Sequence, residues 1–260
     1  MIDSHCHIDL AAFNHDRAEV IASANKLGIT NILVPGLFVK QFKTLLALQE
    51  QHTCIDIAFG FHPYFLHHQN GNNIDTNMQA LDDYVSKYRD TVIGIGEAGL
   101  DGVISHPFDN QKRYLNAQLE LASRYSLPII LHQRKSHNEL IRMLKNTNFA
   151  YGGVIHAFSG SAEIAKTYVD LGFKLGIGGT ITYARANKTK KAITSVGLDH
   201  VLLETDAPDM PLFGFQGQRN TPTRLPMIAS KLAEILSVEI DDVVQTTTNT
   251  YNTLFCQRTN

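Results

Sequence analysis

His5 and His7 stand one residue apart in the opening stretch MIDSHCHIDL. In a strand, positions i and i+2 share a face, so the two imidazoles can grip one metal ion while Cys6 points the other way. More polar residues close later runs: His62 in GFHPYF, Glu97 in GIGEAGLD, His132 in IILHQR, His156 in GVIHAFSG, and Glu204 with Asp206 in LLETDAPDM; Glu97, His132, His156 and Asp206 are the further ligand candidates. Neutral imidazoles and carboxylates together suit borderline divalent ions such as Zn²⁺ or Mn²⁺. A carboxylate can bridge two cations, and Glu97 lies midway in the order. Two ions about 3.5–4 Å apart can share a hydroxide and clamp the attacking and leaving oxygens of a displacement. Asp206 can ligate one ion and accept the proton as the nucleophile attacks. Taken singly, each residue has an ordinary role, such as a core histidine or an Asp cap. Their joint placement carries the weight, because each comes at the end of an apolar run.

Those runs are strand candidates: IDSHCHI, ITNILVPG, IDIAFGFH, TVIGIGEAG, LPIILHQ, GGVIHAFSG, FKLGIGGT and HVLLETDAP. Amphipathic stretches lie between them, among them HDRAEVIASANKLG, VKQFKTLLALQEQ, FDNQKRYLNAQLELASRYS, KSHNELIRMLKNT and SAEIAKTYVDLG, and the last is placed around PMIASKLAEILS. Continuous apolar strands alternating with amphipathic helices predict a parallel sheet covered by helices. Eight such units over residues 1–260 predict a single-domain α/β fold, a (β/α)₈ TIM barrel, whose active site gathers at the C-terminal ends of the strands. A doubly wound sheet fits less well, since no G-x-G-x-x-G turn follows the first strand.

The 260 residues carry 43% hydrophobic and 18% charged side chains, an ordinary globular balance that allows a large core. A formal net charge of −2 argues against a broad electrostatic grip on long duplex DNA or an anionic membrane. Three cysteines, Cys6, Cys54 and Cys256, without CxxC spacing suit a reducing compartment. With neither a signal-peptide pattern nor an apolar run long enough to span a bilayer, the expected location is cytoplasmic.

The motifs DSHCHID, GFHP, IGEAGLD, LPIILHQR, VIHAFSGS and LLETDAPDM, in this order, resemble the TatD-like metal-dependent hydrolases, an amidohydrolase-like branch of barrels. GIGGTITYARANK and ETDAPDMPLFGFQGQRN look most like its YjjV-type subgroup. The resemblance implies two divalent cations per subunit, with Zn, Mn and Mg all compatible. It implies one metal held by His5, His7, Glu97 and Asp206, and the other by Glu97, His132 and His156. It further implies hydrolysis of phosphodiester bonds, a deoxyribonuclease working from a 3′ end, and a monomer. Two motifs depart from the family pattern. HQRKSHNEL lacks the acidic residue many relatives place after the fifth-strand His, and HAFSG stands where many have HCFTG. Neither change removes a ligand position.

Further residues are candidates for substrate. His62 could bond a phosphate or protonate the leaving oxygen. Arg134, two residues past His132 and so on the same face, could bind phosphate bidentately. Tyr64 could stack a base, and Arg219 with Asn220, in the loop past Asp206, could touch substrate. The glycines of GIGG leave room for close backbone approach. The expected substrate is DNA, taken at an end or as a single strand. The same cage could instead hydrolyse an amide, lactone or ester, including an aminoacyl-tRNA ester. A metal-carrying binding module is the non-enzymatic rival.

Overall fold

A computed structural model describes residues 1–68 and 73–255 of the chain; Cys256 lies outside them. Eight strands form one sheet in chain order: β1 (Ile2–Asp3), β2 (Asn31–Pro35), β3 (Ile55–Phe59), β4 (Val92–Asp101), β5 (Ile129–Arg134), β6 (Gly153–Ile155), β7 (Phe173–Ile177) and β8 (Val201–Leu203). A helix follows each: α1 (Arg17–Lys26), α2 (Phe42–Gln51), α3 (Ile74–Lys87), α4 (Phe108–Arg124), α5 (His137–Thr147), α6 (Ala162–Asp170), α7 (Asn187–Val196) and α8 (Leu225–Leu236). This is the (β/α)₈ class expected from the alternation of apolar and amphipathic runs. One helix exceeds that expectation. After α8 the chain forms α9 (Ile240–Phe255), which buries Val243, Thr247, Thr250, Tyr251 and Phe255 at helical spacing.

The fold has two compact units. The first joins Met1–Val34 to His156–Asn260, and the second is Pro35–Ile155. In the first, β1 pairs parallel with β2 and β7 with β8. In the second, β3, β4, β5 and β6 pair in parallel succession. The strands read as unbroken apolar runs because both of their faces are covered: Ile32, Leu33, Val34, Ile130, Leu131, Val154 and Leu175 are all fully buried. Helices bury one stripe. On α5 it is Leu140, Met143 and Leu144, and on α4 it includes Leu115, Gln118, Leu119 and Ala122. Each fully buried Leu contributes about 1.5–3 kcal/mol. Side-chain caps set two helix starts, Asn73 accepting from the Asp75 and Thr76 amides and Ser161 from the Ile164 amide. Among the described residues no helix is long and apolar enough to cross a membrane.

Candidate metal centre

In the first unit, regular β1 stops at Asp3, yet its backbone goes on pairing alternately to either side. The Ser4 amide donates to Leu203 O (2.9 Å), the Cys6 amide to Leu33 O (3.0 Å) and the His7 amide to Ala207 O (2.8 Å). His5 and His7 therefore keep a common facing although the strand is shorter than the sequence implies. Their Nε2 atoms are 3.2 Å apart, while Cys6 is buried, its Sγ 3.7 Å from Ala207 O. Burial pushes the Cys6 thiol well above its ordinary range, as for an inert core thiol.

Asp206 joins this pair. It lies just past β8 with a left-handed backbone, φ 55°, which Asp tolerates better than most residues. Its amide donates to His5 O (2.9 Å), and Oδ1 lies 3.7 Å from His5 Nε2 and 3.8 Å from His7 Nε2. His156, directly after β6, stacks on His5 with ring centroids 3.9 Å apart and turns Nδ1 toward Glu204 Oε1 at 3.7 Å. The same Glu204 oxygen accepts the Ala157 amide (2.6 Å). Gly176 makes room for Glu204, since a Cβ there would stand 2.1 Å from Glu204 Oε2.

In the second unit, Glu97 sits inside β4, not at its end as the sequence suggests. It falls where the register against β5 shifts between Ile95 and Ala98, an irregularity that re-aims a side chain. Gly96 permits it. Its φ is 147°, and a Cβ would lie 2.7 Å from Ile130 Cβ. Glu97 Oε1 is 3.2 Å from His132 Nδ1 and 3.2 Å from His62 Nε2. His62 Nδ1 accepts the Tyr64 amide (3.0 Å), which leaves Nε2, aimed at Glu97, as the nitrogen that carries a proton or meets a cation. Arg134, its side chain 60% exposed, lies 3.9 Å from Asp101 Oδ2. Tyr64 is exposed on a short 3₁₀ turn, Pro63–His68.

Two expectations for the loop past Asp206 are corrected. The side chain of Asn220 is fully buried and does not face substrate. Its amide donates to Thr205 O (2.8 Å) and Met210 O (3.3 Å), pinning the loop that carries Asp206. Arg219 is committed to structure: it pairs with both oxygens of Asp16 and lies over the Phe13 ring, 4.5 Å from its centroid.

Asp3 and Asp101 support the site without having been singled out as functional. Buried Asp3 accepts the Thr205 hydroxyl (2.6 Å), the Thr205 amide (2.9 Å) and the His5 amide (3.4 Å). It thereby ties β1 to the exit of β8. Burial pushes its carboxyl up to about 8 against those bonds. Asp101 accepts from His132 Nε2 (3.2 Å). Burial raises the Asp101 carboxyl, but His132, the Val103 amide and Arg134 outweigh this and hold it below the usual range. The signal for Asp101 was available, because Glu97 and Asp101 are four apart on one strand and alternation puts both on one face.

Within each unit, then, nitrogen and carboxylate donors converge in buried surroundings. Bonds of about 2.0–2.1 Å to one tetrahedral ion place donor atoms roughly 3.3 Å apart. The separations 3.2, 3.7 and 3.8 Å among His5, His7 and Asp206 fit such an ion after a slight contraction. His5, His156 and Glu204 form a second group able to hold a metal, and His62, Glu97 and His132 cluster in the same way.

A model of the family described as TatD related DNase matches residues 2–256. The chain belongs to the TatD family. YjjV of Escherichia coli K12, described as an uncharacterized metal-dependent hydrolase, is 41% identical over 255 residues, covering 98% of this chain and 97% of its own. The crystal structure of that TatD homologue superimposes with a TM-score of 0.93 at 39% identity, covering 99% of this chain and 98% of the other. Human deoxyribonuclease TATDN3 is 26% identical over 98% of this chain and 94% of its own length. A TatD family hydrolase from Entamoeba histolytica, 19% identical with a TM-score of 0.84 and covering 98% of this chain and 97% of its own, shares the fold. The resemblance carried by the six motifs is thus confirmed for this TatD member, down to YjjV among its relatives.

Proposed function

We propose that this TatD family member is a metal-dependent hydrolase of phosphodiester bonds, a deoxyribonuclease that trims single-stranded or frayed DNA from the 3′ end. The observation that carries the reading is the convergence of His5 Nε2, His7 Nε2 and Asp206 Oδ1 within 3.8 Å, next to the exits of strands where a barrel keeps its chemistry. The naming of a relative, human TATDN3, as a deoxyribonuclease supports the bond type. Within the first unit His5, His7 and Asp206 would hold one divalent cation, and within the second Glu97 and His132 would serve another. Bound there, the cations would supply Lewis-acid activation of water and of the phosphoryl oxygens.

The residues of the chain do the rest. Asp206 takes the proton of the attacking water, the general-base role its partly accessible carboxylate can fill. In this reading His62 carries its proton on Nε2, since the Tyr64 amide occupies Nδ1. It can donate that proton to a phosphoryl or leaving oxygen. Arg134, largely exposed on the His132 face of β5, offers a bidentate grip on phosphate. The exposed Tyr64 ring offers a stacking surface for the terminal base.

The test uses metal-depleted protein reloaded with Mn²⁺, Mg²⁺ or Zn²⁺ and single-stranded oligonucleotides labelled at either end. Metal-dependent release of mononucleotides from the 3′ end, lost in Asp206→Asn, is the expected result. Absence of cleavage with every metal, in protein that binds the ions, overturns the phosphodiesterase reading; hydrolysis of an aminoacyl ester or lactone by the same preparation would then identify the bond.

A further inference from the structure

The loops leaving β6, β7 and β8 enclose a recess of about 370 Å³ within the first unit. Its polar lining is Ser159, Thr180, Tyr183, Arg185, Lys188 and Thr189, and no carboxylate is among the residues that form it. In a chain of net charge −2, a recess holding two cations and no acid is set apart from the general surface. The contrast with the larger groove along α3, α4 and α5, about 590 Å³, makes this plain. There Lys112, Arg113 and Arg142 are offset by Asp75, Asp109, Glu120 and Glu139, and Lys112 and Arg142 are already in ion pairs.

Arg185 is held ready for an anion, while Lys188 also feels Glu163, outside the lining, whose carboxyl is held down by the Ser161 hydroxyl first and also by Lys188. The Arg185 guanidinium lies over the Tyr183 ring, 4.9 Å from its centroid. The Tyr183 hydroxyl is fixed by donating to Pro211 O (2.8 Å). Lys188 stands in the first turn of α7, whose opening amides add partial positive charge. Hydroxyls of Ser159, Thr180 and Thr189 complete the lining, that of Thr189 donating to Ser159 Oγ (3.5 Å), and that of Thr180 can donate to a ligand oxygen. Next to it, Phe213 is 63% exposed and meets the Tyr183 ring edge-on, centroids 5.8 Å apart.

The recess also shares its loops with the metal centre. Ser159 belongs to the short segment that begins with His156, and Met210 and Pro211 follow Asp206 in the loop that Asn220 pins.

We propose that this recess binds an internucleotide phosphate of the single strand, adjacent to the phosphate being cut, with the neighbouring base against Phe213. Arg185 grips that phosphate bidentately and Lys188 acts on it as a point charge. The volume suits one phosphate with its sugar, and the exposed aromatic beside it suits a nucleic acid strand more than free phosphate. The proposal rests on the phosphodiesterase reading above.

The experiment measures binding of a fluorescent, phosphorothioate-linked single-stranded oligonucleotide to the full, Mn²⁺-loaded chain at several salt concentrations. The double variant Arg185→Ala/Lys188→Ala is expected to bind about tenfold or more weakly, with a salt slope smaller by about 0.7–1.4. Lys112→Ala, in the neutralised groove, is the control for general charge loss. Should the double variant fail to fold, Arg185→Gln and Lys188→Gln are measured singly. Affinity and salt slope equal to the wild type overturn the proposal, as does inorganic phosphate binding to the recess as tightly as the strand does. The two readings fail separately. Wild-type cleavage with unchanged binding in the variant removes the recess alone. No cleavage, with binding that still depends on Arg185 and Lys188, removes the phosphodiesterase reading alone.

Discussion

Asp101 accepts a hydrogen bond from Nε2 of His132 at 3.2 Å, while the other ring nitrogen looks toward Glu97 Oε1, also at 3.2 Å. An ionised carboxylate only accepts, so Nε2 carries a proton, and Nδ1 is the nitrogen left to meet a cation alongside Glu97. Asp101 is thus a positioning residue that fixes the tautomer and angle of His132. Asp101→Asn keeps the shape and removes the charge. It is expected to lower metal affinity or metal-dependent activity by about 10- to 100-fold, read by Mn²⁺ titration alongside hydrolysis. Wild-type values in both would show that His132 needs no such partner.

Gly96 is the backbone condition for Glu97. Its φ of 147° is open to glycine and closed to most other residues, and a Cβ would press within 2.7 Å of Ile130 Cβ. Gly96→Ala is expected to destabilise the fold by about 1–3 kcal/mol from backbone strain, with overpacking of similar size in addition. Urea unfolding measures it. A loss below about 1 kcal/mol would mean that β4 can shift there at little cost.

Much of this was legible in the residues themselves. Six of the eight strands fall inside the apolar runs of the sequence, and β4 and β5 overrun theirs by two residues and one, because strands buried on both faces must be largely apolar. The His and carboxylate positions stand out because polar groups at the ends of such runs have few ordinary uses. Other features were not legible. Regular β1 ends at Asp3 because its continuation alternates its bonds between two neighbours, and composition does not report backbone partners. Arg219 and Asn220 read as a polar loop fit for substrate. Only three-dimensional neighbours show that Asp16 and the Thr205 carbonyl claim them. Helix α9 is stabilised by what it packs on, so its propensity alone is a weak signal.

The Arg219–Asp16 pair gives a prediction with a definite pH sign. Arg219 holds the Asp16 carboxyl below its ordinary value of 3.8. A carboxyl depressed in the folded state contributes stability that is present above the unfolded pKa and is lost as pH falls through the folded one. Arg219→Ala is therefore expected to lower the melting temperature at pH 7 and to do so by progressively less as pH drops below about 3.8. Because the pair is partly exposed, added salt should also shrink the difference. A deficit independent of pH would assign the contribution to packing of the guanidinium on Phe13 instead.

Metal binding should itself be visible as stability. An ion that binds only the folded chain adds about 2.7 kcal/mol at a hundred times its Kd. For a chain of this size each kcal/mol moves the melting temperature by roughly 2–4 °C. Removing metal by chelation is thus expected to lower it by about 5–10 °C. Asp206→Asn separates the two roles given to Asp206. The amide keeps an oxygen in reach of the His5 and His7 ring nitrogens, so part of the thermal shift should persist. It cannot take a proton, so hydrolysis should fall by about 10²–10⁴. Loss of the thermal shift together with activity would make Asp206 a ligand first. Full activity with a reduced shift would move the general base to another group.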